Sequence, residues 1–358
     1  MTFHARPSGT VPLPDAASVV GGHALLRHPS GSRHALLRDA GTIRLVDLLA
    51  AFDGAPGLLA VVPDPWPGWR NGVRGASADG SLIVLAGQRS VLALEADGRA
   101  RWEYRHGCWG DGPHAHGGAD GPCHGLWSGS CAVSPDGTLV WAHVLPDLDH
   151  GDPAVDSYEE WLILDAADGA VLGRTRLEGG TGGSNHLPYP DGARMLLSTG
   201  QGQDGTPAYL GHWDGTELTV REVGDGFRIP VDVHPGGRAF LSTPHGRDGL
   251  QLHRSTDGLV VMERAAGDLA ADGDEAPLWD YVAGFVDGHT VIAAAHDAGR
   301  REDRRHWLLD ALTLRPLGPV AYPRPVGGYP LALGDGSWLT LDAEGSALLR
   351  WKGSRTAV

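Results

Sequence analysis

Residues 130–144 read Ser-Cys-Ala-Val-Ser-Pro-Asp-Gly-Thr-Leu-Val-Trp-Ala-His-Val. A short apolar run leads into Ser134-Pro135-Asp136-Gly137, and a second run, Leu139-Val140-Trp141, leaves it. Asp-Gly suits a tight hairpin turn, because glycine tolerates the positive φ that such a turn requires. The same unit recurs at Pro29-Ser30-Gly31, Ala78-Asp79-Gly80, Pro190-Asp191-Gly192, Pro235-Gly236-Gly237, Val286-Asp287-Gly288 and Gly334-Asp335-Gly336. The interval is about fifty residues, and seven such periods fill the 358-residue chain.

Within most periods a third strand ends in a second turn. Val91-Leu92-Ala93-Leu94 precedes Asp97-Gly98, and Trp161-Leu162-Ile163-Leu164 precedes Asp168-Gly169. A fourth strand follows, clearest at Arg99 to Tyr104 and Val171 to Leu177. Four antiparallel strands per repeat of this length describe a β-propeller blade. The expected fold is therefore all-β: a single seven-bladed β-propeller with four-stranded antiparallel blades. The blades fall at residues 21–65, 70–105, 126–178, 182–224, 228–265, 279–320 and 326–353. The last repeat is one strand short, and an N-terminal strand around Thr10 to Leu13 is expected to close the ring there. No long helix is expected.

The run from Val91 to Gly98 followed by Arg101-Trp102 resembles repeats of the bacterial PQQ-like and YVTN-like propellers. Ser134-Pro135-Asp136-Gly137 resembles the turn of WD40-like propellers. The resemblance spans the chain as architecture. It departs from true WD40 repeats, since only Trp213-Asp214 sits where that dipeptide belongs, and no repeated Trp docking motif of PQQ enzymes is present. It therefore implies a propeller fold and carries no ligand with it.

Composition limits the function. Forty-four acidic residues against 29 basic ones give a formal charge of −15, without any Lys/Arg-rich run. Nucleic acid and anionic membrane surfaces are thus unsuited partners. Lys352 is the one lysine, so Schiff-base chemistry and a phosphate-binding P-loop lysine are excluded from the body of the chain. No apolar run approaches a membrane span, and the polar first residues do not read as a signal peptide. With three cysteines, the expected setting is the reducing cytoplasm. In an oxidising one, Cys108 and Cys123 could pair.

Strand topology sorts the loops onto two faces. One carries minimal turns; the other carries the long connections, including His106–His124, Leu145 to Glu160 and His296 to Arg305. Counting back from each turn glycine gives the residues expected at the channel mouth on the long-loop face. They are His23, Asn71 with Arg74 nearby, Ser128 or Ser130, Asn185 with His186, Arg228, Asp280 and Tyr329.

The stretch His106–His124 adds His106, Cys108, His114, His116, Cys123 and His124, donors suited to zinc or copper. Asp147, Asp149, Asp152 and Asp156 with His150 could hold a hard cation. Cys131 reads as core.

Two functions remain open on these residues. The first is a binding module for a small polar or acidic ligand, or a peptide or protein. Arg74 and Arg228 would pair with acidic groups, Asn71, Ser128, Asn185 and Tyr329 would line the mouth, and Trp109 and Trp127 would supply apolar contact. The second is an enzyme, a lyase, hydrolase or oxidative catalyst. His23, His186 and Asp280 would be its acid and base groups, with a loop-held metal as Lewis acid.

Overall fold

The computed structural model describes residues 2–13, 25–28, 31–39, 41–66, 74–109, 129–146, 158–179, 182–224, 226–246, 248–269, 277–297 and 304–355. Among them the strands form five four-stranded sheets and one eight-stranded sheet. Each four-stranded sheet is an antiparallel meander of consecutive strands. Blades one to five run from Leu25 to Pro63, Arg74 to Arg105, Ser130 to Glu178, Ser184 to Val223 and Arg228 to Ala265. The eight-stranded sheet is two blades in one, Pro277 to Ala321 and Val326 to Arg355 with the first strand of the chain. This is a seven-bladed β-propeller.

The first strand, Phe3–Pro12, does the closing, and it is longer than the sequence suggested. It lies antiparallel to the last strand, Ala347–Arg355, paired from Phe3 opposite Arg355 to Pro12 opposite Ala347 with a register shift between Pro7 and Gly9. Its opening residues also meet the outer strand of blade six in parallel, Phe3 opposite Val320 and His4 opposite Ala321. Without it, the Ala347–Arg355 edge would present a row of unpaired backbone groups.

By packing, the chain divides into two compact units. One comprises Met1–Ala35, Val46–Leu58 and Val223–Val358; the other comprises Leu36–Leu45 and Leu59–Glu222. In the second unit, blades two and three bury Val84, Val91, Ala93, Cys131, Val140 and Leu162 against one another. Cys131 is core, as its strand position implied. Blades three and four close over Trp141 and Trp161, whose rings lie 5.2 Å apart. Gly211 provides the room for them: a Cβ there would sit 2.7 Å from Trp161 and 2.8 Å from Trp141. In the first unit, Trp279, Phe285 and Leu309 pack with blade five, and Trp338, Leu349 and Trp351 pack with Phe3.

The turns show why the repeat was visible. Gly137 has φ 77°. Asp136 accepts from Ser134 Oγ at 2.5 Å, from Thr138 Oγ1 at 2.9 Å and from Thr138 N at 3.2 Å, and Ser134 Oγ in turn accepts from Leu139 N. Ser77, Asp79 and Ser81 repeat the arrangement in blade two, where those two hydroxyls and the Ser81 N–H pull the Asp79 carboxyl down to about 2.

A short helix, Leu48–Phe52, interrupts blade one, with Asp47 capping its first turn through Leu49 N and Ala50 N. Trp279 lies inside the nine-residue inner strand Pro277–Phe285 and is fully buried. That strand carries a bulge between Trp279 and Ala283, which breaks the alternation a reader would follow.

Removing residues 2–12 should lower the thermal midpoint by roughly 10 °C or more, since a blade edge loses several kcal/mol of pairing. A synthetic peptide of that sequence should restore it. An unchanged midpoint in the truncated chain would contradict the closure.

Candidate functional site

The inner strands of blades three and four, Ser130–Val133 and Ser184–Pro188, bring together a set of polar side chains that a core would ordinarily exclude. Ser130 and His143 are fully buried, and Glu159 and His186 nearly so, while Ser184 is half-buried. Ser130 Oγ lies 2.7 Å from His186 Nδ1 and 2.7 Å from Ser184 Oγ. Ser184 Oγ lies 2.9 Å from His143 Nδ1, and His143 Nε2 lies 3.0 Å from Glu159 Oε2, off the line of a hydrogen bond. At the other end, Trp161 Nε1 is 2.9 Å from His186 Nε2.

The ends of this chain fix its direction. An indole N–H can only donate, so His186 accepts at Nε2. Burial, and then the neighbouring His143, push the His186 imidazole well below its ordinary range, so it is neutral and carries its proton on Nδ1. His186 therefore donates to Ser130, and Ser130 to Ser184. Ser184 is left to donate to His143 Nδ1, and the remaining His143 proton, on Nε2, faces Glu159.

Trp109 leans on this cluster, its ring 5.4 Å from that of His143. Its buried Nε1–H has no hydrogen-bond partner among the described residues. The same holds for Thr199 Oγ1, which is 1% exposed; Thr199 stands directly across the sheet from Ser184, on the same face.

The first compact unit holds a second cluster. Asp280, on the inner strand of blade six, accepts from Arg304 Nε at 2.7 Å, and its other oxygen lies 3.2 Å from His296 Nδ1. The Arg304 guanidinium sits 4.0 Å over the Tyr329 ring. Its two terminal NH2 groups have no hydrogen-bond partner among the described residues. Tyr281, Tyr329 and Phe227 are exposed, each on or just before the inner strand of blades six, seven and five. Tyr281 donates its hydroxyl to His245 O at 2.6 Å. Arg228 donates to Gln251, which donates in turn to Glu263 at 3.1 Å.

Of the residues singled out from sequence, His186 falls in the first cluster, with Asn185 beside it on the same strand; Asp280 and Tyr329 fall in the second. Arg228 lies in blade five, held by Gln251, and Arg74 opens the inner strand of blade two opposite Leu85. Trp109 reaches the first cluster. His106 is buried and donates from Nδ1 to Gly107 O at 2.6 Å; Cys108 is half-buried. His23, Asn71, Trp127, Ser128, His114, His116, Cys123, His124 and the Asp147–Asp156 cluster lie outside the described residues. Among those described, no three His, Cys, Asp or Glu side chains converge as metal ligands.

Ser184, His143, Glu159, His296 and Arg304 were not singled out from sequence. One signal was available: His143 is a lone ionisable residue in the otherwise apolar strand Leu139–Val144.

No protein-family model matches the chain. No curated protein matches it in sequence. Many solved structures share its architecture, two of which serve as examples. The β-propeller domain of Cps50 (Swd1) from Myceliophteria thermophila aligns with a TM-score of 0.56 at 11% identity, covering 97% of this chain and 99% of that one. Hydrazine synthase of Kuenenia stuttgartiensis aligns with a TM-score of 0.54 at 13% identity, covering 97% and 98%. At such identity the likeness establishes the fold.

Buried neutral histidines set a pH dependence. Burial first, then Arg304, lower His306 from 6.5 to about 4, while its Nδ1 faces the Tyr322 hydroxyl at 2.7 Å. His186 is shifted the same way. The folded pKa lies below the unfolded one, so this stabilisation is complete above about pH 6.5 and is lost as pH falls towards 4. For His306 alone it is worth about 3 kcal/mol. Thermal midpoints should therefore fall across that window, and less steeply in His306→Gln; equal slopes for the two proteins would contradict the assignment.

Proposed function

We propose that this protein is a binding propeller whose recognition surface lies on the inner strands of blades five to seven and takes an acidic ligand, a small carboxylate or an acidic peptide segment. The observation that carries this reading is Arg304. Asp280 holds its Nε and Tyr329 its flat face, so the guanidinium is oriented before any ligand arrives. Its terminal NH2 groups form the fork that matches a carboxylate. Pre-orientation matters because an immobilised arginine has already lost the rotamer entropy that binding would otherwise cost.

Around it, Tyr281, Tyr329 and Phe227 offer exposed aromatic area of the kind that dominates recognition surfaces. Asp280 acts as the arginine's counter-ion, a use that makes it poorly suited to proton transfer. The chain's charge of −15 disfavours long anionic polymers, so selectivity for a single acidic group in an aromatic setting is the consistent choice. A protein or peptide partner would use the same fork through a side-chain or terminal carboxylate.

The test is calorimetric titration with a panel of small mono- and dicarboxylates and short acidic peptides, with their amidated counterparts as controls. Binding to at least one acid should weaken tenfold or more in Arg304→Ala, with Arg304→Lys recovering only part, and should weaken less in Tyr329→Ala. No heat with any acidic probe, or an unchanged Kd in Arg304→Ala, would remove the reading.

A further inference from the structure

The cluster between blades three and four contains an arrangement that a binding role does not use. A serine hydroxyl, an imidazole and a carboxylate stand in sequence: Ser184 Oγ 2.9 Å from His143 Nδ1, and His143 Nε2 3.0 Å from Glu159 Oε2. We propose that Ser184 is an activated nucleophile, with His143 as its general base and Glu159 as the positioning residue, and that the site hydrolyses small neutral carboxylic esters.

Three observations support this beyond the row of residues. First, the hydrogen-bond direction is the required one. Ser130 donates into Ser184, so the Ser184 proton cannot turn back towards Ser130 and points at the His143 nitrogen that would take it. Second, Ser184 is the half-buried member of a buried set, so the chain's most approachable residue is the serine. Third, two nearly fully buried donors have no partner among the described residues: the Thr199 hydroxyl at 1% exposure, across the sheet from Ser184, and Trp109 Nε1–H at 3%, whose ring packs on His143. A buried donor without an acceptor is costly, and a developing oxyanion is the acceptor such donors suit. The residues packed beside the cluster are indole and aliphatic, and a small uncharged acyl group suits such a setting better than a charged one.

The reaction balances with water as the only co-reactant. The Ser184 oxygen forms a bond to the acyl carbon while its proton passes to His143 Nδ1. The ester C–O bond then breaks, and the departing alkoxide takes that proton and leaves as the alcohol. Water attacks the acyl-serine, giving its proton to His143. The acyl C–O bond to Ser184 breaks, Ser184 recovers the proton, and the carboxylic acid departs. Glu159 faces the imidazolium formed in each half and touches no substrate atom.

Two probes test this on the full-length chain: a fluorophosphonate that labels activated serines, and p-nitrophenyl acetate as substrate. The expected result is a covalent adduct mapped by peptide mass spectrometry to Ser184. In Ser184→Ala, a small change at a half-exposed position, the adduct is absent and ester turnover falls at least 100-fold. Near-UV circular dichroism of the tryptophans confirms that this variant is folded. Glu159→Gln should still acylate, with kcat reduced and the lower limb of its pH–rate profile displaced, a change that a packing role would not produce. No adduct at Ser184, or equal turnover by wild type and folded Ser184→Ala, overturns the proposal. Acidic-ligand binding at Arg304 is read by a different probe, so either result stands without the other.

Discussion

A sheet edge cannot be left bare, and the strand Phe3–Pro12 meets that constraint for this molecule. It supplies the outer strand of blade seven and touches the outer strand of blade six, so the two ends of the chain are fastened in one sheet. A propeller blade is only four short strands deep and cannot bury both faces by itself; its neighbours must do so. Trp141, Trp161, Trp338 and Trp351 fill those interfaces, each fully or almost fully buried. Once the blades are held, their innermost strands need little further stabilisation and can carry polar residues. The inner strands of blades four and seven are accordingly only partly buried.

Both clusters described above use that latitude, and they use it differently. Around Arg304 the polar groups are partly open and opposite charges neutralise each other, an arrangement that holds a charged group ready for a ligand. Around Ser184 the groups are mostly buried and bound in one direction, from an indole that can only donate to a histidine whose far nitrogen faces a carboxylate. Such a chain tolerates no reversal at any member, because reversing one would leave a buried donor facing a donor. His186 contributes by staying neutral. Its proton on Nδ1 passes the direction through Ser130 to Ser184.

Much of the fold was legible because its turns are chemically demanding. A hairpin that needs positive φ and a capping carboxylate leaves Asp-Gly in the text, and Ser134 and Thr138 show that flanking hydroxyls belong to the same device. The helix Leu48–Phe52 was not legible, being a single turn held by one cap. Around Trp279 the bulge in Pro277–Phe285 disrupts the alternation that marks a strand. The sites were less legible for a geometric reason. Ser184, His143 and Glu159 come from three strands in two blades, and only the register of His143 opposite Ser130 and Trp161 places them together. His186 could be marked as unusual from its strand position, whereas its role depends on an indole and a serine from the neighbouring blade. Arg304 sits just before a strand in a long connection, where spacing carries no information about what it will meet.

The direction of the Trp161–His186–Ser130–Ser184–His143 chain is the claim on which the account of this site rests, and histidine tautomers report it directly. Long-range 1H–15N correlation spectra of imidazole-labelled protein at neutral pH distinguish a protonated Nδ1 from a protonated Nε2. The account predicts His186 protonated on Nδ1 and His143 on Nε2. The opposite tautomer at His143 would direct a proton at Ser184 instead of accepting one, and would contradict it.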